Sequence, residues 1–237
     1  MAGFRTPLPV TSLPRRVGPG RRMAVVRQPL ADLVRTGHVL GATVNDLLLA
    51  AVTGGLRALL SARGEDVAGL VLRATAPAAT GRPGQVLGML VVDLPVGEPD
   101  PSRCLALIHR STSEGKARLR ASGGDVSDLL HVPVPLARWI VRYGRRFGSS
   151  RINLGVTDVA GPPSPLWLAG ARLEQAVPVA PLVPLVPLSV AALSYAGELA
   201  VSVNADASIA DIQVLGGGTA QTFEALRELS RSSRSSS

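Results

Sequence analysis

The stretch Gly41-Ala42-Thr43-Val44-Asn45-Asp46-Leu47-Leu48-Leu49-Ala50 decides how this chain folds. Thr43 can cap the first turn of a helix, and Asp46, three residues on, can bond back to it as the acidic half of a capping box. Apolar residues then recur at helical spacing over residues 47–60. The pair Gly54-Gly55 weakens the middle of this helix by about 1 kcal/mol per glycine. We therefore expect a long helix that is held in place by packing.

Hydrophobic periodicity outward from this helix predicts a mixed α/β lobe in which helices and strands alternate. A tight hairpin turn is expected at Ala196-Gly197, and a helix break at Gly216-Gly217-Gly218, because three glycines cost about 2–3 kcal/mol in a continuous helix. The predicted helices are residues 30–38, with Gly37 or Gly41 as the stop, 44–63, with Gly64 as the C-cap, 100–120, 135–147 and 206–229. The predicted strands are residues 71–75, 89–94, 152–159, 173–179, 188–195 and 198–204.

Composition changes at the two ends predict three segments. Residues 1–29 carry five prolines and two arginine pairs without a sustained hydrophobic period, which is typical of an extended basic arm or linker. Residues 30–229 form the folded lobe. Residues 230–237, rich in serine and arginine, are too polar to order themselves and are expected to be a disordered tail.

The charge balance suits an anionic partner but not single-stranded nucleic acid. Twenty-five Lys and Arg residues face 17 Asp and Glu residues, a net charge of +8, and Lys116 is the single lysine. Guanidinium groups bind phosphate and carboxylate well. Only 3% of residues are aromatic, however, so few stacking platforms for bases exist. We expect no nucleic-acid partner.

Other features lead us to expect a cytoplasmic location. Cys104 is the single cysteine, which excludes an internal disulfide and a multi-cysteine metal site. The first residues lack the apolar run of a secretory signal. The uncharged stretch 176–197 is long enough to cross a bilayer, but its prolines recur every third residue, which suits a polyproline-II arm or a strand edge.

Five landmarks in order resemble the second half of the bacterial wax ester synthase/diacylglycerol acyltransferase family. They are the Asn45-Asp46 pair at the start of an apolar helix, Leu94-Pro95-Val96-Gly97-Glu98-Pro99-Asp100-Pro101, Gly161-Pro162-Pro163, Leu166-Trp167-Leu168-Ala169-Gly170-Ala171, and Leu193-Ser194-Tyr195-Ala196-Gly197. The similarity runs over nearly the whole chain and covers the C-terminal half of a full-length member.

The resemblance implies one lobe of a fold like that of chloramphenicol acetyltransferase, with the active site in a tunnel between two lobes. In the family, the first lobe holds a His-His-x-x-x-Asp-Gly motif whose second histidine deprotonates an alcohol or diacylglycerol, so that its oxygen attacks acyl-CoA. The chain lacks this motif: His38, His109 and His131 are isolated. We therefore assign no catalytic residue, no metal and no bound cofactor, with acyl-CoA as the co-substrate of the family.

Two departures from the family pattern border the implied tunnel. Where the family has Thr-Asn-Val-Pro-Gly-Pro, this chain has Thr157-Asp158-Val159-Ala160-Gly161-Pro162, so a carboxylate replaces a neutral amide. A proline run at 181–187 replaces a glycine-rich stretch and is expected to stiffen the bordering loop. The candidate cleft residues are Asn45, Asp46, Thr157, Asp158, Gly161 and Pro162.

Simpler interpretations compete with these functional ones. For Asn45-Asp46, a helix start in which Asp46 caps and Asn45 bonds locally is favoured over direct contact with substrate. His109 is interpreted as a surface or core residue, because no carboxylate or nucleophile is placed by the sequence to pair with it.

The helix predicted at 135–147 has an aromatic side next to a basic side. Such a helix can lie in a membrane surface, although packing of the aromatic residues into the core with solvated arginines is the favoured alternative. The candidate membrane-surface residues are Arg138, Trp139, Arg142, Tyr143, Arg146 and Phe147.

The sequence therefore predicts the C-terminal domain of an acyltransferase of this family, inactive alone, whose His-bearing lobe is supplied by a separate chain or lost by truncation. The alternative is a non-catalytic lipid- or protein-binding module derived from that lobe. The expected partners are acyl-CoA, a lipid alcohol or diacylglycerol, and the missing lobe, with peripheral contact to membranes or lipid inclusions.

Overall fold

The computed structural model describes residues 9–14, 16–78, 88–122, 152–183 and 185–235. Over these residues it contains four long helices, α1 (Leu30–Leu40), α2 (Val44–Ala62), α3 (Pro101–Ser122) and α4 (Ile212–Ser235). The strands are β1 (Arg21–Pro29), β2 (Leu72–Ala78), β3 (Gly88–Leu94), β4 (Leu154–Ala160), β5 (Trp167–Leu168), β6 (Ala171–Arg172), β7 (Leu188–Tyr195) and β8 (Glu198–Asp206).

Six strands form one mixed sheet in the order β1-β8-β7-β4-β2-β3. The central strands β7, β4 and β2 are parallel, whereas β1, β8 and β3 pair antiparallel to their neighbours. Strands β5 and β6 form a separate small hairpin. The expected mixed α/β fold is confirmed.

Helix α2 is the centre of the helical layer. Six consecutive residues, 47–52, have no exposed surface, because α1, α3 and α4 surround the helix while α3 and α4 also pack on the sheet. The helix is therefore buried all round rather than along one stripe. It is long and apolar enough to span a membrane by length and composition alone, but 67% of that window is buried inside the lobe, as in a core helix.

The expected helix break at residues 216–218 is wrong, because α4 is continuous through all three glycines. The glycines allow α4 to cross α2 closely: a Cβ on Gly218 would stand 2.6 Å from the Ala58 Cβ, and one on Gly55 would stand 2.6 Å from the Leu215 carbonyl oxygen. Packing across this contact offsets the cost of glycine in a helix.

Both predicted end segments also need correction. Residues 21–29 of the expected arm form the edge strand β1, whose Ala24 and Val26 side chains point into the core. Residues 230–235 of the expected disordered tail continue α4, and Ser230 is buried opposite Thr36 of α1, with 3.5 Å between the two hydroxyl oxygens.

The connection from β4 to β7 covers the sheet face opposite the helices. Along β8, Val201 and Val203 point into the core, so Ser202 and Asn204 point the other way. Ser202 donates a hydrogen bond to the Pro178 carbonyl, and Asn204 donates to the Ala180 carbonyl at 2.9 Å. The strand expected at 173–179 is therefore wrong: this segment joins no strand ladder, and side chains of the sheet bind its Leu173 and Pro178 carbonyls.

Several local predictions are confirmed. Helix α1 ends at Gly41 with φ of 64°, the left-handed conformation that glycine adopts readily. The β7–β8 turn has φ of 46° at Ala196 and 89° at Gly197, as a two-residue hairpin requires. The helix predicted at 135–147 lies outside the described residues.

Candidate functional site

The capping box predicted at the start of α2 is present. The Thr43 hydroxyl accepts a hydrogen bond from the Asp46 amide at 3.2 Å, and the Asp46 carboxylate accepts from the Thr43 amide at 3.0 Å and from its hydroxyl at 2.8 Å. This arrangement satisfies two of the amide groups that every helix start leaves free.

Helix α3 adds two further donors to the same carboxylate. His109 Nδ1 lies 2.9 Å from Asp46 Oδ2, and the Thr112 hydroxyl donates to Asp46 Oδ1 at 2.7 Å. The spacing of three residues places both side chains on one face of α3. Asp46 therefore links α2 to α3 by hydrogen bonds, and only 1% of its surface is exposed.

The network keeps this buried carboxylate ionised. Burial by itself raises the pKa of Asp46, but hydrogen bonds from His109, Thr43 and Thr112 outweigh it and leave the pKa below its ordinary value. A buried carboxylate that accepts four hydrogen bonds is a satisfied group, so Asp46 is a structural residue here.

His109 is the residue that sequence reasoning missed. Its side chain lies at the surface, as one of the two interpretations expected, but the expectation that no carboxylate pairs with it is wrong, because Asp46, 63 positions earlier in the chain, is its partner. Its side chain is 46% exposed, whereas that of Asp46 is 1% exposed. No spacing rule reveals this pair, since only the packing of α3 on α2 brings the two together.

Asn45 behaves differently from its neighbour. It is half-buried, and within the described residues its carboxamide makes no hydrogen bond. The local hydrogen bond expected for it is therefore not seen. The two residues of the motif therefore differ: Asp46 accepts four hydrogen bonds, whereas among the described residues the Asn45 carboxamide has no hydrogen-bond partner.

The second group of candidate residues lies at the carboxyl end of β4. A Cβ on Gly161 would stand 2.2 Å from the Ser194 carbonyl oxygen, so no larger residue fits there. The Gly161 amide donates to the Ser194 hydroxyl at 3.2 Å, and the Pro162 carbonyl accepts from the Ala196 amide at 3.1 Å. These contacts fix the direction in which the chain leaves the sheet.

Thr157 and Asp158 are the fourth and fifth residues of β4, shortly before this exit. Asp158 retains substantial solvent exposure, yet crowding by protein atoms desolvates its carboxylate and raises its pKa. In the described residues no hydrogen bond joins the segment 157–162 to Asn45 or Asp46. Within the described residues, the predicted site therefore comprises two groups that no hydrogen bond connects.

An exposed apolar surface follows directly after the second group. Trp167 is 66% exposed and Leu168 is 81% exposed on the β5–β6 hairpin. The Tyr195 hydroxyl holds this hairpin by accepting from the Leu166 amide and donating to the Leu173 carbonyl, both at 2.8 Å. We call this region the apolar surface; its exposed members are Val159, Leu166, Trp167, Leu168, Leu173, Val177, Val179, Val183 and Leu185.

Two further predictions concern metal and membrane. Across the part of the chain that the structure describes, no group of three His, Cys, Asp or Glu side chains is arranged to hold a metal ion. The candidate membrane-surface residues between 138 and 147 lie outside the described residues, so membrane contact through them stays a prediction.

Sequence comparisons match the chain to one protein family. Residues 84–227 match the family model of the WS/DGAT C-terminal domain. Proteins named as diacylglycerol O-acyltransferases from Mycobacterium bovis and Mycobacterium tuberculosis are each 29% identical over 213 residues, which is 86% of this chain and 46% of theirs. The chain thus spans about half the length of the curated relatives it matches.

Solved structures agree on the fold. The wax ester synthase/diacylglycerol acyltransferase from Marinobacter aquaeolei VT8 superposes with a TM-score of 0.76 at 20% identity, over 94% of this chain and 52% of that one. The epimerization domain from tyrocidine synthetase B gives a TM-score of 0.55 at 10% identity, over 95% of this chain and 52% of its own. The predicted chloramphenicol acetyltransferase-like lobe is confirmed, and the chain belongs to the wax ester synthase/diacylglycerol acyltransferase family, where it corresponds to the C-terminal domain.

Proposed function

We propose that this domain forms one wall of a tunnel in which an acyl group passes from acyl-CoA to a long-chain alcohol or diacylglycerol. The opposite wall is a first lobe that carries the His-His-x-x-x-Asp-Gly motif and lies outside these 237 residues. The relatives support this proposal, because they are named as diacylglycerol O-acyltransferases and the chain matches 46% of their length. The sequence itself contains no such motif.

The observation that carries the proposal is the apolar surface. Side chains such as Trp167 and Leu168 are exposed together on one hairpin, next to further exposed leucines and valines. Large exposed apolar patches mark sites of protein–protein contact, and the exposed apolar side chains of this segment are the candidate for such a site. Since it begins where β4 ends, we propose that the first lobe docks on it and that the tunnel runs along the junction.

The chemistry divides between the lobes accordingly. The first lobe supplies the general base, which takes the proton from the hydroxyl as its oxygen attacks the thioester carbonyl. This lobe supplies a rigid wall: Gly161 and Pro162 fix the exit from β4, and the Asp46 network fixes the start of α2. Correct placement of two substrates is itself a large part of such catalysis.

A chimaera tests this division. The first half of the Mycobacterium tuberculosis relative is joined to this chain, purified, and supplied with palmitoyl-CoA and dioctanoylglycerol. We expect triacylglycerol to form with the chimaera and not when the second histidine of the transplanted motif is replaced by alanine. A folded chimaera that binds both substrates without turnover would favour the alternative, a non-catalytic lipid- or protein-binding module.

Peripheral contact with membranes or lipid inclusions from the cytoplasm is part of the proposal. The net charge of +8 supports it, because basic proteins are attracted to anionic lipid surfaces. Flotation of the chain with vesicles of phosphatidylglycerol and phosphatidylcholine tests it. Recovery of the chain with the vesicles, lost at high salt, is the expected result, and flotation that phosphatidylcholine alone supports equally well would contradict the electrostatic basis.

A further inference from the structure

The segment that leads into β1 is attached to the lobe at several points. We call its described residues, 9–14 and 16–20, the connector. Leu13 is 8% exposed and belongs to the hydrophobic core. The Gly18 amide donates a hydrogen bond to the Asp206 carboxylate at 2.6 Å, and the Gly20 carbonyl accepts one from the Ala207 amide at 3.2 Å. The connector is therefore not the free arm that the sequence suggested.

Two charged residues hold the connector at Ser12. The Ser12 amide donates to Glu65 Oε1 at 3.1 Å, and the Ser12 hydroxyl donates to the same oxygen. Arg63 Nη1 donates to the Ser12 hydroxyl oxygen at 2.9 Å and to the Ser12 carbonyl at 3.4 Å. All three polar atoms of Ser12 are thus engaged by residues at the end of α2. We call Glu65 and Arg63 the Ser12 clamp.

Arg63 is itself held in a fixed direction. Its Nε donates to Asp211 Oδ2 at 2.7 Å and its Nη2 donates to Asp211 Oδ1 at 2.5 Å, which is the bidentate geometry that arginine forms with carboxylates. The Arg63 side chain is only 18% exposed. Arg63 comes directly after α2 and Asp211 directly before α4, so one guanidinium joins the connector to the ends of two core helices.

This attachment affects how a preceding lobe is held. The matched family model is that of a C-terminal domain, so in the relatives the first lobe comes before the connector. A flexible coil of 29 residues, the length of the predicted arm, would span about 30 Å. A connector held at Ser12 removes the freedom of the residues that follow Ser12. Such ordering lowers the entropy that docking costs and raises the effective concentration of one lobe at the other.

We propose that the Ser12 clamp positions the first lobe: Glu65 and Arg63 fix the chain that leads from that lobe into β1, so that the lobe meets the apolar surface in one orientation. This inference rests on the function proposed above and adds two positioning residues to it. The clamp lies about 27 Å along α2 from Asn45, so it acts through the placement of the lobes and not through contact with substrate.

Hydrogen–deuterium exchange of the full chain, measured by mass spectrometry, tests the clamp itself. In the peptide that contains residues 9–14, the Ser12 amide should exchange about tenfold faster in Glu65→Ala than in the wild type, because one hydrogen bond is lost. Glu65→Gln keeps a carbonyl oxygen toward that amide and should restore the slow exchange. Asp66→Ala is the matched control, since Asp66 accepts from the Ala68 amide and not from the connector.

The chimaera tests the consequence with a readout that a purely structural role would not change. Within the described residues, no hydrogen bond joins the clamp to the β5–β6 hairpin, so hairpin exchange in the free chain should be the same in all variants. In the chimaera, Glu65→Ala should speed exchange of the hairpin, because the first lobe covers it less well, and should lower kcat for triacylglycerol about tenfold. Glu65→Gln should restore both, and Asp66→Ala should change neither.

Each outcome decides between the alternatives. Ser12 exchange that Glu65→Ala leaves unchanged would overturn the clamp, and faster Ser12 exchange without any change at the hairpin of the chimaera would overturn its positioning role. An inactive chimaera in which Glu65→Ala still speeds hairpin exchange would refute the transferase function and keep the positioning role. An active chimaera whose hairpin exchange and kcat do not respond to Glu65→Ala would keep the function and remove Glu65 and Arg63 from it.

Discussion

The start of α2 and the β4–β7 connection are the two regions of this lobe that carry the family's motifs, and they are built in opposite ways. At the start of α2, the Asp46 carboxylate is buried and accepts four hydrogen bonds from three residues of the same chain. In the connection, Trp167 and Leu168 extend into solvent on a hairpin held by the Tyr195 hydroxyl. The buried carboxylate of the first region therefore has its partners within the lobe, whereas the apolar side chains of the second region remain exposed.

Topology explains the difference. Adjacent parallel strands such as β4 and β7 need a crossover, which is usually a helix that brings its own apolar stripe. Here the described part of the crossover is a short hairpin and an extended proline-rich segment, whose prolines offer carbonyls but no amide donors. Side chains of the sheet donate hydrogen bonds to the Pro178 and Ala180 carbonyls, so the segment is held on the sheet while apolar side chains of its own remain exposed.

The largest expected effect comes from removing the Asp46 carboxylate at the start of α2. Asp46→Ala leaves the Thr43 amide without its acceptor, leaves the buried Thr112 hydroxyl only the His109 carbonyl as acceptor, and removes the partner of the His109 ring, so the free energy of unfolding should fall by about 3 kcal/mol. Urea denaturation measures it. Asp66→Ala is the control: Asp66 accepts from the Ala68 amide at an exposed site and should cost less than about 1 kcal/mol. Equal losses of unfolding free energy in the two variants would show that the Asp46 network contributes no more than one exposed hydrogen bond.

The next effect probes the packing that holds α2. Gly55→Ala forces a Cβ to 2.6 Å from the Leu215 carbonyl oxygen, so the crossing of α2 and α4 must open at a cost of about 2 kcal/mol. Gly217→Ala makes the same chemical change in α4 with no atom within 4 Å, and it should stabilise the helix by about 0.5–1 kcal/mol. Thermal unfolding of both variants decides this, and a stable Gly55→Ala protein would contradict the close crossing.

A smaller effect is the pH dependence of the network. The pKa of Asp46 is lower in the folded chain than in the unfolded chain, so its contribution is fully present above the unfolded pKa and is lost as pH falls through the folded one. Asp206 and Asp211 have lowered pKa values as well, so the wild type is compared with Asp46→Asn. The difference in stability should shrink on acidification from pH 6 toward about pH 2, and a constant difference would contradict the ionised state.

The smallest expected effect on stability concerns the apolar surface. The double variant Trp167→Ser, Leu168→Ser removes side chains that are already exposed, so unfolding should change by less than about 0.5 kcal/mol. Self-association measured by light scattering should nevertheless fall, because the apolar surface is smaller. Arg172→Ser on the same hairpin is the polar control. Monodisperse wild-type protein at high concentration would refute the interpretation of this surface.

Local signals in the sequence predicted what local physics determines. The capping box at Thr43 and Asp46, the end of α1 at Gly41 and the turn at Ala196-Gly197 each depend on residues within four positions. The resemblance to the family predicted the fold, because five of the family's motifs occur in this chain in the same order.

What the sequence could not predict depends on contacts between distant segments. In strand β1, only Ala24 and Val26 are buried apolar residues, which is too short a pattern to predict a strand. The strand forms because it pairs with β8, about 180 residues later in the chain. The glycines of α4 look like a break until α2 brings its own glycines opposite them. His109 lacks a partner until α3 packs beside Asp46. In each case the decisive energy comes from packing, which local propensity does not contain.

The central claim is that this lobe is one of two walls and that the proton acceptor for transfer belongs to the other. The most direct test incubates the purified chain with palmitoyl-CoA and either hexadecanol or dioctanoylglycerol, and quantifies ester by mass spectrometry beside the chimaera. The account predicts no ester above the protein-free control from the free chain. Ester formation by the free chain at the rate of the chimaera, abolished by His109→Ala, would contradict it.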